Sequence, residues 1–215
     1  MTYRITFAVS GRARFLSHLE TVDTLLSALR RGGYEIALSQ GMKPKPVVSL
    51  ALPRAVGVES EAELADVRLV SAPEPGQLAA ALAPQLPLGI DLLDVQPVTG
   101  RPASSRLRAA RYRIEVVDDL DWDEAVARFL AAGEVRVTRR MLGKPDKRVD
   151  ARQFCSSLVH RPGRLEAELE LSDRGTARPE EIAHAVAAQV GATPTIVRIV
   201  RTAIELRGTP VGAST

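Results

Sequence analysis

The sequence predicts an α+β chain made of two tandem βαββαβ halves, each an antiparallel sheet with its helices on one face. Three observations predict it. Period-two apolar alternation and helical apolar spacing follow one another in the order strand, helix, strand, strand, helix, strand. That order runs twice along the 215 residues. A segment with glycine, proline and two serines, residues 99–109, separates the two runs.

Tyr3, Ile5, Phe7 and Val9 alternate with Arg4, Thr6 and Ala8, which is the pattern of a half-buried strand. Ser17-His18-Leu19-Glu20 then has the form of a capping box, and Leu19, Val22, Leu25, Leu26 and Leu29 follow at helical spacing until Gly32-Gly33 stops them. Residues 35–39 and 47–52 read as extended on either side of a loop at 40–46, and 63–70 alternate with Ala65, Val67 and Leu69 on one face. Residues 73–86 read as a helix with Leu78 and Leu82 inward, and 90–98 as the closing strand. In the second run Tyr112, Ile114 and Val116 alternate. Asp121 to Glu124 has the capping form again, ahead of Val126, Phe129 and Leu130. Residues 135–139 read as a strand followed by a long basic loop, and Leu165, Ala167, Leu169 and Leu171 alternate with charged residues. A helix over 179–190 has proline in its first turn and Gly191 past its end, and 195–206 make the last strand.

This order is that of the ferredoxin-like unit. The expected organisation is therefore a first half at 1–98, a linker at 99–109, a second half at 110–207 and a disordered tail at 208–215.

Composition narrows the function classes. The formal charge of +3 permits a nucleic-acid surface without requiring one. Cys155 is the single cysteine, so neither an internal disulfide nor a self-contained iron–sulfur cluster is expected. His18, His160 and His184 lack metal-ligand spacing, and no metal site is expected. The chain has no apolar run that would span a bilayer and no signal peptide at its start, so it reads as cytoplasmic. Walker, dinucleotide-binding and nucleophile-elbow motifs are missing.

Three segments could bind anions. In 11–18, Arg12, Arg14 and His18 surround the start of the first helix, where free N–H groups favour negative charge; the bland alternative is a histidine that packs the first turn. In 39–46, Ser39, Gln40, Lys43 and Lys45 sit on a segment stiffened by two X-Pro pairs, as a phosphate grip or as a solvated surface turn. In 136–152, Arg136, Arg139, Arg140, Lys144, Lys147, Arg148 and Arg152 outnumber Asp146 and Asp150, and Arg101, Arg106 and Arg108 add to them from the linker. Base stacking on the sheet is not expected, because Tyr3, Phe7 and Tyr112 fall on the apolar face, while Glu166 and Glu168 sit beside Arg111 and Arg113 in cross-strand pairs. Glu59, Glu61 and Glu63 could hold a hard cation or be a solvated lead-in to a strand.

Arg14 to Glu20, Ser39 to Pro46 and Gly57 to Ser60 together resemble the signature of the radical-SAM-associated protein family, a bacterial domain of unknown function. Lys147 to Arg152 and Arg201-Thr202 look like weaker positions of the same pattern. Glu20 stands where Asp is common and Met42 where an aromatic is common. The resemblance implies work beside a radical SAM enzyme in RNA modification or processing. The iron–sulfur cluster and S-adenosylmethionine would then be held by that partner and not by this chain. The expectation is a non-catalytic accessory protein that presents tRNA or rRNA. In it Arg12, Arg14, His18, Lys43 and Lys45 would form one anion site, and the 139–152 cations a second grip. The alternatives are a metal-independent RNA-cleaving enzyme, like CRISPR RNA endonucleases with His18 as acid/base, and an interaction module that binds the enzyme and no RNA.

Overall fold

The computed structural model describes residues 1–117, 119–141, 143–173 and 175–208, apart from the side chains of Met141 and Lys144. The tail expected at 208–215 falls, from Thr209 on, outside the described residues. The chain is a mixed α+β protein of largely antiparallel sheet, and it divides into two compact units. The first holds residues 1–107 and the chain from 203 on; the second holds 108–202.

In the first unit the strands are β1 (Thr2–Val9), β2 (Val48–Leu50), β3 (Glu59–Arg68) and β4 (Ile90–Val98), with helices α1 (His18–Arg31) and α2 (Pro75–Leu82). β1 lies between β3 and β4, antiparallel to both, and β2 pairs with β3. The alternation in β1 does what its pattern predicts: Tyr3, Ile5, Phe7 and Val9 are buried against Leu25 and Leu29 of α1 and Leu78 and Leu82 of α2. On the opposite face Arg4 forms a two-pronged pair with its cross-strand partner Asp66. Asp66 also accepts from the backbone N–H of Ala103 (2.6 Å), and Ser49 hydrogen-bonds Ser104, so the segment after β4 is fastened to this unit. The capping box of α1 is complete. Glu20 N–H donates to Ser17 Oγ, and Ser17 N–H to Glu20 Oε2.

The second unit contains α3 (Trp122–Ala131), β6 (Arg136–Met141), β7 (Lys144–Asp150), α4 (Ala151–Phe154), β8 (Cys155–Arg161), β9 (Arg164–Glu170) and α5 (Pro179–Ala187). Most of β5 (Leu107–Val116) belongs to it, and β10 (Ile196–Leu206) contributes residues 196–202. Its sheet order is β10-β5-β9-β8. Asp121 caps α3 by accepting from Glu124 N–H, but the Glu124 carboxylate turns to Arg128 instead of closing a box.

The segment expected to be a long basic loop is instead largely strand: β6 and β7 pair with each other in a separate two-stranded sheet, and the strand that pairs with β9 is β8. β8 escapes the sequence pattern because, among the residues it shares with the sheet, Ser156, Ser157, Val159 and Arg161 are exposed, leaving too little apolar alternation to read.

Candidate nucleic-acid interface

Past Val9 the chain makes a 3₁₀ turn, Gly11–Phe15, before α1. Ser10 N–H donates to the carbonyl of Gly89 (2.8 Å), and Gly57 N–H to that of Arg14 (2.9 Å). Three loops thus meet at this end of the unit. Gly89 is needed twice over: its φ is +89°, and a Cβ there would stand 2.5 Å from the Ser10 carbonyl oxygen. A buried guanidinium locks the turn. Arg54, 8% exposed, donates to the carbonyls of Arg14 (2.7 Å), Leu16 (3.2 Å), Ala13 (3.5 Å) and Val58. Sequence reading missed Arg54, because nothing local marks an arginine that, Val58 apart, meets these acceptors some forty residues away.

The cations of 11–18 have three different fates. Arg14 Nη1 pairs with the buried carboxylate of Glu59 (3.0 Å), which also accepts from Gly11 N–H (3.3 Å). Glu59 and Glu63 are buried in β3 and Glu61 is exposed, so two of the three carboxylates are not a solvated lead-in. His18 opens α1 half-buried, and its Nδ1 is enclosed without a hydrogen-bond partner among the described residues. Arg12 is exposed, and no carboxylate among the described residues pairs with it. Phe15 is 57% exposed, with the Arg14 guanidinium carbon 4.8 Å from its ring centroid.

The 39–46 loop is built by its own first residue. Ser39 N–H donates to the Lys45 carbonyl (2.8 Å), and Lys45 N–H returns to Ser39 Oγ (3.0 Å). Gln40, Lys43 and Lys45 are exposed. The base of this loop, where Val47 N–H meets the Ala37 carbonyl, is bonded to Arg68, the partner of Thr2. The turn at 11–18 instead follows Val9. The two segments are therefore anchored at opposite ends of β1, about 23 Å apart at ~3.3 Å per residue. The single anion site expected from Arg12, Arg14, His18, Lys43 and Lys45 is not assembled at these anchors.

In the second unit the pleat of the β6–β7 hairpin sorts the cations. Val137 faces Val149 and Arg139 faces Lys147, while Thr138 faces Arg148. The valine row turns inward, carrying Arg139 with it: Arg139 pairs through two nitrogens with Glu181 of α5 (2.6 and 2.7 Å) and donates to the Thr176 carbonyl. Burial raises the Glu181 carboxyl, but Arg139 and the Arg178 N–H more than offset this and hold it below its ordinary value. Arg139 is shifted upward by the same bond. Arg152 donates to the carbonyls of Cys155 (2.9 Å) and Leu130. Arg140, Lys147 and Arg148 are exposed, and none is paired with a carboxylate among the described residues. Arg136, also exposed, is held by Glu134. The Lys144 side chain lies outside the described ones. A cavity of about 180 Å³ beside the hairpin is lined by Lys147, Arg148, Asp150 and Gln153, among others.

Elsewhere in this unit Glu168 takes Arg111 (2.9 Å) across the sheet, as the sequence pattern predicts. Arg201, 2% exposed, donates to the Tyr112 hydroxyl (3.3 Å). Burial pushes the Cys155 thiol up to about 11, which leaves it a protonated core residue at neutral pH. Among the described residues no group of three or more His, Cys, Asp or Glu side chains could hold a metal ion, and no helix is long and apolar enough to cross a membrane.

A family profile described as an uncharacterized protein conserved in bacteria, DUF2344, matches residues 2–179. No curated protein matches the sequence. Among solved structures, a chain of a Cbf5-Nop10-Gar1 complex is similar over 94% of this chain, with 9% identity and a TM-score of 0.52. This chain spans 48% of that one's length, and the likeness is one of fold. An unknown protein from Galdieria sulphuraria aligns over 88% of both chains, with 15% identity and a TM-score of 0.29.

Proposed function

This chain belongs to the DUF2344 family of uncharacterized proteins conserved in bacteria, and on that premise we propose that it is an accessory RNA-binding protein, acting beside a radical SAM enzyme on tRNA or rRNA in the cytoplasm. The partner rests on the motif resemblance of Arg14 to Glu20, Ser39 to Pro46 and Gly57 to Ser60. The partner supplies cluster and S-adenosylmethionine; this chain supplies the grip. The strand orders β4-β1-β3-β2 and β10-β5-β9-β8 support two ferredoxin-like halves.

The observation that carries the RNA reading is the hairpin's exposed cations. Arg140, Lys147 and Arg148 stand in solvent without a carboxylate, on a strand pair that Arg139 fixes to α5. Unpaired cations on a rigid ribbon suit a phosphate backbone, because neutralising phosphates releases counterions.

The test is fluorescence anisotropy of labelled tRNA and rRNA fragments against salt. Wild-type affinity should fall steeply between 50 and 200 mM salt, and Arg140→Ala/Arg148→Ala should lower the log–log slope by about 2, one per lost phosphate contact. Salt-insensitive binding, or none, overturns the reading. Cleavage of the RNA in EDTA would make the protein an enzyme, and RNase-resistant capture of the radical SAM enzyme without RNA binding would make it an interaction module.

A further inference from the structure

We infer that Phe15 is a stacking platform for an unpaired base of single-stranded RNA, with Arg12 taking an adjacent phosphate. This rests on the RNA reading above but uses a different unit of the molecule. An aromatic ring is costly to leave in water, and Phe15 is 57% exposed between Ala13 and Leu16, which are wholly or partly enclosed. It is not a loose tip. The carbonyls of Ala13, Arg14 and Leu16 on either side are all held by Arg54, and the Gly57 N–H binds Arg14 as well. The Arg14 guanidinium, itself fixed by Glu59, lies over the ring. A rigid ring with a cation packed on it, beside the exposed and unpaired Arg12, suits a ligand with a flat π-face and a negative charge a few ångströms away. A nucleotide has both. The sheet-face stacking that Tyr3, Phe7 and Tyr112 cannot provide is thus replaced by stacking at a turn.

The experiment measures binding of labelled oligo(A) and of a blunt RNA duplex to the full chain and to Phe15→Ala and Phe15→Trp. Phe15→Ala should weaken oligo(A) binding about tenfold, leave duplex binding unchanged and leave thermal unfolding near wild type. Phe15→Trp should restore oligo(A) affinity. Equal oligo(A) affinity of wild type and Phe15→Ala, with RNA still bound, overturns the platform and leaves the hairpin reading intact. No RNA bound by the wild type overturns both. Loss of a co-purifying protein by Phe15→Ala, with oligo(A) binding unchanged, would make the turn a protein contact and overturn the platform too.

Discussion

At the end of β1, Arg14 and Arg54 turn their donors onto the protein itself, to Glu59 and to a ring of backbone carbonyls, and what reaches solvent is Phe15 with Arg12 beside it. In the β6–β7 hairpin the pleat divides neighbours in sequence: Arg139 goes inward to Glu181, while Arg140 and Arg148 go outward. The first region is an arginine-built scaffold that presents an apolar ring. The second is a scaffold anchored by its valine row and the Arg139–Glu181 pair, and it presents arginines. Counting cations along the sequence ranks the second far above the first, yet it does not tell which cations in either region are bound to the protein and which face solvent. What distinguishes them is whether an acceptor lies within reach of each guanidinium, since a paired cation adds rigidity and an unpaired one adds field.

The comparison breaks most visibly at Arg54. Arg54→Ala removes the guanidinium from the carbonyls of Leu16 and Val58 and takes one of two donors from those of Ala13 and Arg14; it should cost about 3–4 kcal/mol, a fall in Tm of roughly 10 °C in thermal unfolding. A loss under about 1 kcal/mol would mean the turn holds without it. Arg139→Ala is expected to cost less, about 2 kcal/mol. Amide exchange should rise across β6 and β7 while β1 and β3 keep their protection; uniform loss would mean the hairpin is not separately anchored. The smallest effect is that of acid. Glu181 is held below its ordinary value of 4.5, so its pairing is fully present above that pH and is lost as pH falls through the lower, folded-state value. Hairpin amides should lose protection over that acid range in the wild type, whereas Arg139→Ala should show little further change on acidification.

Much of the fold was legible because it is written in short-range pattern. The bounds of β4 match the expected 90–98, β1 alternates as read, and both bonds of the Ser17–Glu20 box form. The hairpin was not legible. Val137 and Val149 are the apolar pair seen on its inward row, amid seven Lys and Arg over 136–152, so the segment reads as a charged loop. Of the candidate site, the loops at 11–18 and 39–46 were found from their cations and prolines, but Ser39 proves to close its loop and Arg139 and Arg152 to bind their own protein. Phe15 lies within the Arg14 to Glu20 motif, but its exposure was not legible, since an aromatic beside Leu16 at the entrance to an amphipathic helix ordinarily reads as core.

The sequence by itself determined most of the strands and helices and where α1 starts, because alternation and capping act within a few residues. Tertiary structure alone decided which arginines are scaffold and which are surface, and that Phe15 faces solvent. Those outcomes depend on register between residues forty or more positions apart, such as Arg14 with Glu59 and Arg139 with Glu181, and no local pattern encodes which acceptor a guanidinium will meet.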